Sequence, residues 1–332
     1  MTLSTTPSSK RLEIVSGAPA QETRSFADDV RAGLTAAQKY LPSKYFYDEL
    51  GSALFDAITL LPEYYLTRAE TEILHEWGWE IVRALGNPVE FVELGSGSAV
   101  KTRILIEEAL RVQRSLRYSP IDISREALRA SAQALVERFP ALNVTAYAAD
   151  YFTILSSGAL KRSGRVLAMF MGSNIGNYEP LQARELLTAL GASLKKGDGI
   201  LIGMDLKKDP LTLQRAYDDA AGVTAAFNKN LLARINRELG GRFDLDDFEH
   251  VARYDPATGC VRSDLQSQRT HAVRIEALDA DVRFGKGERI HTESSYKFSL
   301  DDVDALARDC GLKLERTWTD AKKRFSVNLL LR

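Results

Sequence analysis

At 332 residues the chain is long for one average domain and short for three, so one large or two interleaved domains are expected. Its 44 Lys and Arg balance 45 Asp and Glu to a formal charge of −1, which leaves no basic footprint for nucleic acid and no acidic tail for a charged partner. Cys260 and Cys310 belong to no CxxC or Cys/His cluster, no apolar run is long enough to span a bilayer, and the start MTLSTTPSSKRLEIV lacks a signal-peptide core. These features argue against zinc, a disulfide framework and membrane, and for a cytoplasmic protein.

In chain order, residues 1–19 read as a flexible tail, and the Ser, Thr and Pro richness of this loose segment runs on to about residue 24. An amphipathic helix follows over 26–37. Residues 41–70 (LPSKYFYDELGSALFDAITLLPEYYLTRAE) are dense in aromatics, with Tyr45, Phe46, Tyr47, Phe55, Tyr64 and Tyr65 between or just beyond two prolines. Density of this kind is core more often than site. Tyr64 and Tyr65, directly after Pro62-Glu63 in a predicted loop, need partners for their hydroxyls and are site candidates. Residues 67–85 form a predicted helix with Ile73, Trp77, Ile81 and Leu85 on its buried side.

The chain is organised around VEFVELGSGSAVKT, residues 89–102. A strand over 89–93 breaks at Gly95 and Gly97, and Ile104, Leu105, Ala109 and Val112 then restore a helical period over 101–113. Strand, glycine loop and helix are the opening unit of a doubly wound α/β sheet, whose ligands settle beyond the carboxyl ends of the strands. A dinucleotide fingerprint wants a third small residue where Val100 stands, and Glu93 before the loop would repel a pyrophosphate. The loop looks more like the one over which class I methyltransferases lay S-adenosylmethionine. A turn that needs glycine for backbone reasons alone is the plainer alternative.

Further strands are predicted over 117–121, 143–149, 165–171 and 200–205, alternating with helices over 124–139, capped by Ser124, and 181–194. This beat makes a parallel sheet. It breaks after Asp205: residues 206–290 offer helices over 210–220, 224–239 and 245–252 and short strands over 271–277 and 281–284, read as an inserted second lobe. A helix over 300–310 and a hairpin over 313–319 and 325–331 close the sheet. Three strands finish at Glu93, Asp122 and Asp150, so three acids are expected to converge on one ligand, Asp122 accepting from ribose hydroxyls and Asp150 from an adenine amino group, with Tyr151 over the ring.

LPEYYLTRAE, ELGSGSAVKT, GSNIGN, RAYDDAAGVTAAFNKN and TESSYKF together resemble the histidine-specific Nα-methyltransferases that make hercynine on the way to ergothioneine, from about residue 26 to 332. The resemblance implies a Rossmann-like class I methyltransferase domain from 69–206 and 297–332, with a substrate lobe from 20–68 and 207–296. For S-adenosylmethionine it points to Tyr47, Gly95, Lys101, Asp122, Asp150 and Tyr151, with Lys101 on the cofactor carboxylate. For L-histidine it points to Phe55, Tyr64, Gly172, Asn177, Tyr217, Glu293 and Ser295. Asn177 and Tyr64 would hold the α-amine and act as the catalytic pair, Tyr217 the carboxylate, and Glu293 with Ser295 the imidazole. Where family members tend to carry methionine near the imidazole, this chain has Ser263, and Tyr151 replaces a more usual Phe. A monomer without a metal is expected.

The residue types suit the reaction. Displacement at a sulfonium methyl needs a neutral amine with its lone pair aimed in line, so positioning does most of the work, and a nearby cation lowers the amine pKa without a strong base. A Glu and a Ser can match both imidazole nitrogens and penalise side chains that leave them unpaired. Each residue also has a plain structural reading: Asn177 as a helix cap, Tyr217 as packing, Glu293 and Ser295 as an exposed strand face, Lys101 as an exposed first-turn lysine. The same enzyme class acting on another aromatic amino acid, a nicotinamide oxidoreductase and a non-catalytic binding module are the alternatives.

Overall fold

The computed structural model describes residues 11–16, 25–157, 160 and 162–332. Its elements run β1 (Leu12–Ser16), α1 (Phe26–Thr35), α2 (Glu49–Leu60), α3 (Leu66–Arg83), β2 (Val89–Leu94), α4 (Thr102–Val112), β3 (Leu116–Asp122), α5 (Arg125–Arg138), β4 (Leu142–Ala148), α6 (Tyr151–Ser157), β5 (Arg165–Phe170), α7 (Pro180–Ser193) and β6 (Gly199–Asp205). After these come α8 (Pro210–Ala216), α9 (Val223–Leu239), β7 (Phe248–Asp255), β8 (Cys260–Ser267), β9 (His271–Ile275), β10 (Ala280–Phe284), β11 (Arg289–Tyr296), α10 (Leu300–Asp309), β12 (Lys313–Thr319) and β13 (Phe325–Leu331). Among the described residues no helix is long and apolar enough to cross a membrane.

Two compact units emerge. The first holds β1, Arg68–Leu206 and Phe298–Arg332; the second holds Glu22–Thr67 and Lys207–Lys297. The first unit is an eight-stranded sheet in the order β1-β4-β3-β2-β5-β6-β13-β12. Strands β1 to β6 pair in parallel and β13 runs antiparallel between β6 and β12, the closing hairpin expected from sequence. Because β2 has β3 on one side and β5 on the other, strand order reverses there. A doubly wound sheet opens its ligand crevice at this point. The inner strands are apolar on both faces, as helices on both sides require; Val92, Phe170, Leu187, Ile202 and Val303 share one buried cluster.

Three expectations are corrected. Residues 12–16, placed in the flexible tail, form an edge strand registered Leu12 to Val144, with the Arg11 guanidinium donating to the carbonyls of Val136 and Phe139 at 2.9 and 3.0 Å. The rest of residues 1–19 lies outside the described residues apart from Arg11. Residues 245–252 are not a helix but a short 3-10 turn leading into β7, where Phe248, His250 and Ala252 are buried at alternate positions. Ser124 sits at the N-cap of α5 without a capping bond; its N–H donates to Asp122 instead.

In the second unit β11-β8-β7 form one antiparallel sheet and β10-β9 a hairpin. Helix α2, unforeseen among the aromatics, starts at Asp48, whose carboxylate accepts from the N–H of Gly51 and from the Asn230 amide of α9 at 2.7 and 2.8 Å. Thr292 on β11 donates to Asn228 of α9 at 2.6 Å and lies 3.0 Å from the Ser263 carbonyl of β8. A register shift between His291 and Glu293 marks a bulge that re-aims β11 just before the predicted imidazole ligands.

Candidate active site

In the first unit the glycine loop is shaped by its own backbone. Gly95 and Gly97 have φ of +67° and +49°, a region side chains avoid, and a Cβ at Gly97 would meet nothing within 4 Å, so the loop has open space above it. The Asp122 carboxylate at the end of β3 accepts from the N–H groups of Gly97 and Ser124 at 3.0 and 2.9 Å, which ties the two loops while leaving lone pairs for a diol. Asp150 follows β4 and accepts from the Thr153 N–H at 3.0 Å. Next to it, Tyr151 packs edge-on to Phe170 and its hydroxyl meets that of Tyr178.

Glu93 does not join this rim. Its carboxyl is buried, accepts from the Thr102 hydroxyl at 2.7 Å and from Tyr118, and is pushed up to about 7 by burial, only partly offset by those two bonds and by Lys101. Two acids rather than three are therefore offered to a ligand. Position along the strand explains this: Glu93 lies within β2, before Leu94, where Thr102 and Tyr118 take up its carboxyl, whereas Asp122 ends β3 and Asp150 lies beyond the end of β4.

At the other side of the switch point, Gly172 and Ser173 take consecutive left-handed conformations, φ +78° and +59°, and turn the chain sharply after β5. The Ser173 hydroxyl accepts from the Asp205 N–H at 2.9 Å, which holds the unfavourable turn in place. Asn177 ends the 3-10 turn of residues 174–177. Glu179, not Asn177, is the N-cap of α7, and no described residue hydrogen-bonds the Asn177 side-chain amide. Lys101, at the N-terminus of α4, pairs its ammonium with the buried carboxylate of Glu70.

In the second unit the rings of Tyr47, Phe55, Tyr64 and Tyr217 form a contiguous edge-to-face series at centroid distances of 5.6, 6.1 and 6.3 Å. Phe227, which the sequence reading did not single out, packs against both Tyr47 and Phe55. Tyr47 is 47% exposed as a residue, yet its hydroxyl lies among protein groups. That enclosure, with the nearby negative charge of Glu293 and Tyr217, pushes its ionisation upward. The Tyr217 and Ser295 hydroxyls lie 2.8 Å apart, and the buried ammonium of Lys297 donates to both at 2.7 and 2.9 Å. Lys297 is a second residue missed from sequence; its place in TESSYKF, two residues after Ser295 and just past the end of β11, was the available signal.

Glu293 lies opposite Ser263 in the β11–β8 ladder. Its carboxyl is pushed up to about 7 by burial, partly offset by Lys297, and accepts no hydrogen bond from any described residue. Ser263 is 1% exposed and its hydroxyl has no hydrogen-bond partner among the described residues. Buried polar groups without a partner are rare, and here the register puts one beside the position of a buried carboxyl.

The residues fit an adenosyl amino acid in the first unit and an aromatic amino acid in the second. The sequence pattern of the S-adenosylmethionine-dependent, histidine-specific methyltransferases matches residues 26–332. The chain is 45% identical over 304 residues to a histidine N-alpha-methyltransferase of Mycolicibacterium smegmatis, covering 92% of this chain and 94% of that one. A Mycobacterium tuberculosis protein of the same name is 44% identical, with 91% and 93% covered. Ergothioneine biosynthesis protein 1 of Schizosaccharomyces pombe is 31% identical over 82% of this chain and 36% of its own length. A match running from α1 to the last strand leaves one assignment: this chain belongs to the histidine-specific, S-adenosylmethionine-dependent methyltransferase family.

Proposed function

We propose that the protein transfers three methyl groups in succession to the α-amine of L-histidine, giving hercynine, the trimethylated histidine of ergothioneine synthesis. The observation that carries the reading is the buried Glu293 carboxyl, which no described residue bonds, in register with Ser263, whose hydroxyl is likewise without a partner among the described residues. An imidazole is the amino-acid side chain whose two nitrogens suit a carboxylate and a hydroxyl together.

S-adenosylmethionine supplies an electrophilic methyl carbon when bound. In the proposed assignment Asp122 accepts from the ribose hydroxyls, Asp150 from the adenine amino group beside Tyr151, and Lys101 faces the carboxylate, while Gly95 lets the backbone approach closely and Tyr47 is a further cofactor contact. Tyr217 takes the histidine carboxylate and Gly172 its neighbourhood, with Phe55 bounding the substrate. Glu293, Ser295 and Ser263 serve the imidazole. Asn177 and Tyr64 orient the α-amine. Neither forms a tight ion pair with it, so the amine can lose its proton and turn as it grows from primary to tertiary. The reading carries with it a monomeric chain working in the cytoplasm on a free amino acid.

A second reading is the same transfer to another aromatic amino acid, favoured by the run of rings from Tyr47 to Tyr217. Incubation with S-adenosylmethionine and each amino acid in turn, followed by mass spectrometry, separates the two. Gains of one, two and three methyl groups on histidine are expected; a preference for tryptophan or tyrosine, with histidine unchanged, would overturn the assignment.

A further inference from the structure

We infer that Glu70 is a positioning residue that fixes, through one carboxylate, both the cofactor lysine and the loop that follows β5. The inference rests on the proposed role of Lys101 at the cofactor carboxylate. Glu70 lies on α3 and is 0% exposed. An ionised carboxylate at such a depth persists only when its partners are fixed. Here there are two. One oxygen pairs with the Lys101 ammonium at the start of α4, and the carboxylate accepts from the Gly172 N–H at 2.8 and 3.1 Å.

The surroundings are built for this group. A Cβ on Gly203 of β6 would stand 2.2 Å from Glu70 Oε1, so no residue with a side chain fits there without displacing the carboxylate. A Cβ on Gly172 would stand 3.3 Å from Lys101 Nζ, so that glycine leaves the lysine its place. The Lys101 side chain is 23% exposed, which puts its buried contact at Glu70 and leaves part of it open. Without Glu70 the Lys101 ammonium would lose its ion-pair partner and the Gly172 N–H its acceptor. Both the loop after β2 and the loop after β5, one on each side of the topological switch, are thus referred to a single fixed charge.

Substitution separates the two contacts. Glu70→Gln keeps an acceptor for Gly172 but removes the charge that holds Lys101; Glu70→Ala removes both. Calorimetric binding of S-adenosylhomocysteine, without any amino acid, is the first readout. Loss of a charge-assisted contact is expected to weaken it about tenfold in Glu70→Gln. In the Lys101→Met background the same change is expected to cost less than about twofold, because its target is gone. The histidine KM is expected to rise further in Glu70→Ala than in Glu70→Gln. Unchanged binding in Glu70→Gln, full additivity with Lys101→Met, or a Lys101→Met protein that binds normally would each overturn the inference.

If Glu70→Gln does not fold, Glu70→Asp takes its place in the cycle. Its shortened side chain cannot reach both partners, so about threefold weaker binding is expected and parental binding would overturn the inference. Because the binding measurement involves no histidine, coupling between positions 70 and 101 would stand even if histidine proved not to be the substrate.

Discussion

At the scale of single residues, Glu293 has the most specific consequence. Burial lifts its carboxyl to about 7 from an ordinary value of 4.5, with Lys297 pulling the other way. To accept from an imidazole N–H it must be ionised, so kcat/KM for histidine is expected to rise with pH through about 7, below the limb at which the α-amine loses its proton. Glu293→Gln removes the titrating group. The lower limb should vanish and kcat/KM for histidine fall by about 10- to 100-fold, since a bond to a charged partner is lost, while S-adenosylhomocysteine binding is unchanged. A pH–rate profile that keeps its lower limb in the variant would assign that limb elsewhere. Glu293 and Ser295 were singled out only through the resemblance of TESSYKF to the family pattern, because alternation along a strand is equally the mark of an exposed face. Lys297, Phe227 and Glu70 were not, because an inward lysine, a helical phenylalanine and an acid inside a helix look like any other until the fold puts them beside a site.

At the scale of elements, legibility followed periodicity. The β2, glycine loop and α4 unit and the five parallel strands that lead to the crevice stood out as apolar runs bounded by turns. The antiparallel sheet of the second unit did not. Leu245, Phe248 and Val251 repeat every three residues, which suggested a helix, yet the strand buries Phe248, His250 and Ala252, and a histidine in the inward row hides the alternation. Strand β8 was missed for a related reason: Ser263 and Ser267 on one face and Asp264 on the other are all buried polar residues, so neither face reads as apolar. Sequence reasoning failed where polar groups were turned inward, and among these is the candidate imidazole contact. Ser263→Ala tests that reading. Removing an unpartnered buried hydroxyl should leave stability unchanged or raise it by about 1 kcal/mol. If the hydroxyl meets the ligand, the histidine KM should rise by about three- to tenfold with cofactor binding intact. A stabilised variant with parental KM would make Ser263 a packing residue only.

At the scale of the whole molecule, the chain leaves the sheet after β6 and returns beside the same strand end, where the Phe298 N–H donates to the Asp205 carbonyl at 3.0 Å. A lobe inserted this way costs the sheet nothing in strand order, which is why the strand-helix beat could stop at Asp205 and resume near Leu300. The stability of the sheet unit then depends on what its centre buries, and Glu93 is one of the acids buried there. Its carboxyl is raised to about 7 in the fold from an ordinary 4.5, chiefly by burial. Below pH 4.5 folded and unfolded chains both hold the proton and nothing is lost. Between 4.5 and about 7 the unfolded chain releases it while the fold retains it, so stability declines as pH rises and levels off above the folded value. Glu93→Gln keeps the shape and cannot titrate. Its stability relative to the parent should therefore improve from pH 5 to pH 8, by an amount bounded at about 3 kcal/mol for a shift of this size. Melting temperatures of both proteins across that range measure it. A gap that stays constant would mean that the bonds from Thr102 and Tyr118 offset the burial, and a gap that narrows would mean that Glu93 is ionised in the fold and stabilising it.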